Sequence, residues 1–85
     1  GEAVTTKINK PAVRVVKVAP KQTVQDESFL VRVAVDNTGK VAAENVRVVE
    51  NVPTSAEVEP VTKGAKKTQQ PDGQQWVWEI PKLMP

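Results

Sequence analysis

The feature that most constrains the fold is the alternation from Phe29 to Val35, in which Phe or Val occupies every odd position and the even positions hold Leu30, Arg32 and Ala34. A period of two with β-branched residues on one side predicts a half-buried β-strand. The residues after it, Asp36-Asn37-Thr38-Gly39-Lys40, predict a turn, because Asn and Asp bond their own backbone and Gly adopts positive φ at little cost. The predicted inner side of the strand consists of Phe29, Val31, Val33 and Val35.

A second strand follows the turn. Val46 and Val48 alternate with Asn45, Arg47 and Val49, and Pro53 ends the pattern. A helix over Val41 to Val49 is the competing interpretation, but Ala42-Ala43 is outweighed by the β-branched residues of the same stretch. The two strands between Phe29 and Pro53 therefore organise the rest of the chain.

Three further segments carry strand signals. Val13 to Val18 is rich in valine, and its doubled Val15-Val16 predicts a bulge or a crossing between sheets. Thr54 to Val61 alternates weakly, which predicts a short edge strand. Gln70-Pro71-Asp72-Gly73 predicts the turn of a hairpin between residues 65–69 and 74–80, with Pro81 ending the second strand.

The last predicted strand places Trp76, Trp78 and Ile80 on one face. We interpret the two indoles as core anchors, because aromatic burial carries much of the stability of a small domain. An exposed pair that binds a ligand is the alternative. Together these signals predict an all-β fold, an antiparallel β-sandwich of about six or seven short strands.

Composition limits the function more than it identifies it. The 85 residues include no His and no Cys, so the usual general base, thiol nucleophile and zinc ligands are missing. The four glycines are scattered and form no phosphate-binding loop. We therefore expect no enzyme, no catalytic residues, no cofactor and no metal. A net charge of +2 is too small to imply a nucleic-acid partner, and no apolar run reaches the roughly 18 residues of a membrane span.

Three candidate sites remain. Lys63, Lys66 and Lys67 form a basic cluster that we interpret as solvated lysines that protect a sheet edge; the alternative is a polyanion-binding loop. Calcium ligands are available at Asp26-Glu27 and Asp36-Asn37, where turn capping is the competing role. An isopeptide cross-link needs a Lys, an Asn and an acid, which Lys17, Asn45 or Asn51, and Glu50 supply by type. Nothing in the sequence places those residues together.

Several motifs follow one another along the chain: Val31 to Val35, Asn37-Thr38-Gly39, Ala43-Glu44-Asn45-Val46, Glu50-Asn51-Val52-Pro53 and Trp78 to Pro85. In the order and spacing of these motifs, the chain resembles a repeat of bacterial and archaeal surface proteins, known as domain of unknown function eleven. A Lys near the end of the first strand, Lys17, also fits. The resemblance covers about residues 11 to 85.

The resemblance implies an Ig-like sandwich, arranged in tandem on exported proteins of the cell surface or outer envelope, with the periplasm as an alternative location. It implies a non-catalytic structural or spacer module whose partners are neighbouring repeats. Residues 11–85 would form the sandwich, truncated before the family's final strand, and residues 1–10 a linker or the tail strand of a preceding repeat. The alternatives are adhesion to surface polysaccharide through the lysines, or assembly with other envelope proteins by edge-strand addition.

Overall fold

The computed structural model describes residues 4–18 and 29–85, which form seven β-strands and no helix. In these ranges no helix is long and apolar enough to cross a membrane. The strands pack as two sheets, so the all-β sandwich predicted from the sequence is confirmed. The strands are β1 (Thr5–Ile8), β2 (Val13–Val18), β3 (Phe29–Asn37), β4 (Ala43–Val52), β5 (Ala56–Pro60), β6 (Ala65–Gln70) and β7 (Gly73–Leu83).

The larger sheet, called sheet A, has the strand order β1-β4-β7-β6, and all of its neighbours are antiparallel. The smaller, sheet B, has the order β2-β3-β5. Strands β2 and β3 are antiparallel, whereas β3 and β5 are parallel. The chain reaches this arrangement by leaving sheet B after β3, adding β4 to sheet A, and returning to sheet B with β5.

The core lies between the sheets and follows the period-two pattern. Every second residue of β3 from Val31 to Asn37 is buried, as the alternation predicts, and Trp78 of β7 is completely buried against it. The Trp78 indole Nε1 donates a 2.8 Å hydrogen bond to the Thr62 carbonyl, which satisfies its polar atom. The buried core residues are Val13, Val31, Val33, Val35, Val46, Val48, Val52, Ala56 and Trp78.

Two local expectations are wrong. Strand β2 pairs with β3 in one unbroken register from Val13 to Val18, so the doubled valine makes no bulge. Val16 and Val18 consequently lie exposed on the outside, and Lys17 points towards the core side. Strand β7 also continues past Pro81 to Leu83. The ladder omits the pairing of Pro81 with Asn45, which suits a proline without an N–H group.

The turn after β3 depends on Asn37, whose side chain is buried. Its Oδ1 accepts from the Gly39 amide, and its Nδ2 donates to the carbonyl oxygens of Val41 and Leu83, at 2.8 and 2.9 Å. The amide thus closes an Asx turn and also ties the turn to the end of β7. This accounts for Asn at the first position of the Asn-Thr-Gly motif in this chain.

The segment before residue 11 contributes a strand to the sandwich. Strand β1 pairs with β4 along the edge of sheet A, from Thr5 opposite Asn51 to Ile8 opposite Val48. Asn9 extends the contact, because its side chain bonds the Arg47 amide and the Asn45 carbonyl. The edge of sheet A beside β4 is therefore occupied by the chain's own first strand.

The hairpin predicted at Pro71-Asp72 is present, with Gln70 paired to Gly73 across a two-residue turn. A Cβ on Gly73 would lie 2.6 Å from the Val52 carbonyl oxygen, so the close approach of β7 to β4 requires glycine here. The neighbouring Gln74 is buried and donates to the carbonyls of Pro53 and Ala56. This amide fixes the β4–β5 connection to the hairpin.

Candidate functional site

The predicted basic cluster is spread over both sides of sheet A. Lys63 lies in the connection between β5 and β6, whereas Lys66 and Lys67 are consecutive residues within β6. Since side chains alternate along a strand, Lys66 lies on the outer face, in register with Val77, and Lys67 lies on the inner side, in register with Trp76. The three ammonium groups therefore do not form one loop-borne patch.

Lys67 has a partner of its own. Its Nζ lies 5.9 Å from the centroid of the half-buried Trp76 ring, within the range of a cation–π contact. The Trp76 Nε1 donates to Gln74 Oε1 at 2.9 Å. Trp76 is thus used within the fold on its ring face and at its nitrogen, which favours the structural role predicted for the two indoles over an open ligand platform.

The most unusual group in the described chain is the carboxylate of Glu50. Its side chain is 0% exposed although it belongs to a charged residue, and it faces the interior from β4. Its Oε2 has no hydrogen-bond partner among the described residues. Burying a carboxylate costs free energy unless charge and hydrogen bonds compensate for it, so its neighbours decide whether the fold tolerates it.

Two side chains from two further strands supply that compensation. Thr6 of β1 donates its hydroxyl to Glu50 Oε1 at 2.5 Å. Lys17 of β2 places its Nζ 3.5 Å from Glu50 Oε2 and donates to Thr6 Oγ1 at 2.7 Å and to the Val4 carbonyl at 3.2 Å. We call Thr6, Lys17 and Glu50 the buried ionic cluster. It joins strands of both sheets at the side of the sandwich where β1 and β2 meet.

Burial raises the pKa of Glu50 above its ordinary value of 4.5, because the charged form loses its hydration. The Thr6 hydrogen bond and the Lys17 charge act in the opposite direction, but desolvation is the larger effect. Because Glu50 is completely buried, the cluster forms an internal electrostatic contact between the strands.

A pH dependence of stability follows from that raised pKa. Between 4.5 and the higher pKa of the folded state, the native protein binds more protons at Glu50 than the unfolded chain does. The contribution of this group to the free energy of unfolding therefore decreases as the pH rises through that window. We expect Glu50→Gln to remove this contribution, which urea unfolding of both proteins across the window will show as a difference that grows with pH. A difference independent of pH would contradict it.

The structure brings together only part of the other predicted groups. Lys17 does meet Glu50, but Asn51 points to the opposite face of β4 and accepts a hydrogen bond from Gln75, and Asn45 lies five residues away along β4. The geometry therefore supplies no amide for an isopeptide bond at the cluster.

Only part of the predicted calcium ligands lies in the described chain. Asp36 pairs with Arg14, and Asp26-Glu27 lies outside the described residues. The described residues contain no group of three or more acidic side chains that would hold a metal ion.

Comparison of the chain with family models, with curated proteins and with solved structures finds no match.

Proposed function

We propose that this chain is a non-catalytic structural module that provides length and stiffness within an exported cell-surface or envelope protein. The observation that supports the proposal best is that the start of β1 and the end of β7 lie at opposite ends of sheet A. The resemblance of its motifs to those of tandem surface repeats is consistent with the same role.

The register gives this placement directly. Strand β1 begins with Thr5 opposite Asn51, near the far end of β4, and β7 finishes with Leu83 opposite Ala43, at the start of β4. Their partners Asn51 and Ala43 are eight residues apart on β4, so the start of β1 and the end of β7 lie about 26 Å apart along the strand direction. The molecule extends 43 Å along its longest axis. Units joined through these strands would add their length end to end.

The same geometry determines how tension would act on the fold. Strands β1 and β7 run parallel to each other on either side of β4, and both are hydrogen-bonded to it. Tension applied at the start of β1 and at the end of β7 would load those hydrogen bonds in shear, so many of them resist together. A spacer under stress benefits from this arrangement.

Single-molecule stretching of the chain tests the proposal, because forced unfolding reports the unfolding rate along the applied direction. One molecule is pulled from residue 1 and residue 85, which shears β1 and β7 against β4. The matched molecule is pulled from residue 1 and from Asp72→Cys, a clean attachment since the chain has no other cysteine. Asp72 lies at the same end of sheet A as Thr5, so this geometry opens the sheet pair by pair.

We expect clearly higher unfolding forces for the first attachment than for the second. Equal forces, or a lower force when residues 1 and 85 are pulled, would contradict a load-bearing role. Small-angle scattering of two and three linked copies gives a separate readout. The maximum dimension should grow by a constant increment per copy, whereas a compact, folded-back arrangement would argue against a spacer.

A further inference from the structure

The outer face of sheet A, the side turned away from sheet B, carries a regular arrangement of charged and polar side chains. Ladder pairing puts Lys7, Val49, Val77 and Lys66 in one row across all four strands. The next row in the same direction consists of Thr5, Asn51, Gln75 and Thr68.

The two rows have complementary chemistry. One places a lysine on each edge strand with two valines between them, and the lysines are about 14 Å apart because neighbouring strands lie about 4.8 Å from each other. The other presents only hydroxyls and amides, about 7 Å further along the strands. Val49 is 8% exposed and Val77 is half-buried, so the two valines between the lysines offer little open apolar surface. An extended ligand lying across the strands would meet both rows.

The charge on this face is not neutralised. Arg47 and Glu79 face each other at 3.7 Å, but Lys7 and Lys66 have no ion pair among the described residues. On the outer face of sheet B, by contrast, each arginine is paired with a carboxylate. Those pairs are Arg14 with Asp36 and Arg32 with Glu59, and Glu57 adds a further negative charge. Among the described strands, the lysines without an ion pair therefore all belong to sheet A.

We propose that the outer face of sheet A binds an acidic polysaccharide, with its carboxylate or sulfate groups on Lys7 and Lys66 and its hydroxyls on the amide and hydroxyl row. Saccharides fit because each sugar offers both hydrogen-bonding hydroxyls and spaced anionic groups. Binding of this kind is independent of the spacing role proposed above.

The other polyanions and the membrane surface match this face less well. A single-stranded nucleic acid needs aromatic side chains on which bases stack, and both tryptophans lie on the inner side of β7. A membrane surface needs exposed apolar anchors. The exposed large apolar residues of the described chain all lie elsewhere; they are Ile8, Val16, Val18, Leu30, Val41, Val61 and Met84.

Two double variants that remove the same charge distinguish binding at this face from attraction by the net charge of the protein. Lys7→Gln/Lys66→Gln removes the two unpaired lysines of the face, and Lys63→Gln/Lys67→Gln removes the same charge from positions that do not lie on it. Affinity for a heparin oligosaccharide and for oligogalacturonate is measured by calorimetry at physiological salt. We expect the first pair to weaken binding about tenfold, because each exposed charge contact contributes about a factor of two to five, and the second to change it by less than about twofold.

A third variant and a direct map locate the ligand. Asn51→Ala/Gln75→Ala keeps every charge, and we expect it to weaken saccharide binding as well. Amide shifts in NMR spectra during the titration should move on β1, β4, β7 and β6 at the two rows. Equal losses in both lysine pairs, shifts confined to Lys63 to Lys67, absence of binding to either saccharide, or tighter binding of single-stranded DNA would each overturn the proposal.

Discussion

Replacing Lys17 with Met is expected to destabilise the fold by about 3 to 5 kcal/mol at neutral pH, the usual effect of removing one partner from a buried charge pair. The reason is the position of Glu50, which is 0% exposed while its partner Lys17 keeps 28% of its side chain accessible. Without the ammonium, the carboxylate must stay buried and uncompensated or take up a proton. Urea unfolding followed by tryptophan fluorescence measures the loss.

The pH dependence of this loss identifies its cause. As the pH falls towards 4.5, Glu50 protonates in the folded variant and no longer needs a positive neighbour, so the cost of Lys17→Met should shrink. The double variant Lys17→Met/Glu50→Gln should recover most of the stability at neutral pH, because a neutral amide replaces the buried charge. Such non-additivity is the signature of a direct interaction.

Lys66→Met is the matched control for this series, since Lys66 is an exposed lysine without an ion pair in the described part of the chain. We expect it to change stability by at most about 0.5 kcal/mol. If Lys17→Met behaves like this control at every pH, then the ion pair does not stabilise the native state and the cluster is held by packing alone.

The second large effect concerns Trp78. Truncation to Ala removes a completely buried indole at the centre of the sandwich, for which we expect a loss of about 3 to 5 kcal/mol. A chain of this size has about 4 to 13 kcal/mol of stability in total. Trp78→Ala should therefore lack dispersed NMR amide signals or unfold at much lower urea concentration than the parent.

Two milder substitutions separate packing from hydrogen bonding at this site. Trp78→Phe keeps most of the apolar volume but leaves the Thr62 carbonyl without its indole donor, which should cost about 1 to 3 kcal/mol. Trp76→Phe affects a half-buried ring and should cost less than Trp78→Ala. A cooperative Trp78→Ala protein within 1 kcal/mol of the parent would show that the core does not depend on this residue.

The strands were predictable where one face of the chain is uniformly apolar. The valines of β3, the Pro71-Asp72 turn and the shared face of Trp76 and Trp78 each follow from local periodicity or turn chemistry. For these elements the residues that set the pattern are close in the sequence, so no knowledge of distant partners is needed.

The buried ionic cluster was not predictable by the same means. Strand β2 contains valines on both faces, and a lone Lys17 between Val16 and Val18 reads as the exposed residue of the three. In the structure Lys17 instead points to the inner side, because it contacts Glu50 and Thr6. These residues lie on strands that come close to β2 only in the tertiary fold. The placement of Lys66 and Lys67 on opposite faces was predictable, because consecutive residues of a strand point to opposite sides of the sheet. The turn at Pro71-Asp72 sets the register of β6 against β7 and so determines which of the two lysines faces outward.

The passage of the chain from β3 to sheet A and back to β5 has a kinetic consequence. The parallel register of β5 with β3 joins segments on either side of β4, so forming this pair closes a loop that contains all of β4. The loop entropy of that excursion is lost before the pairing compensates for it, which slows folding in sandwiches of this kind. During that delay the edge of β3 that later accepts β5 stays unpaired, and a nascent chain with identical neighbours would be most vulnerable there to pairing with the wrong copy.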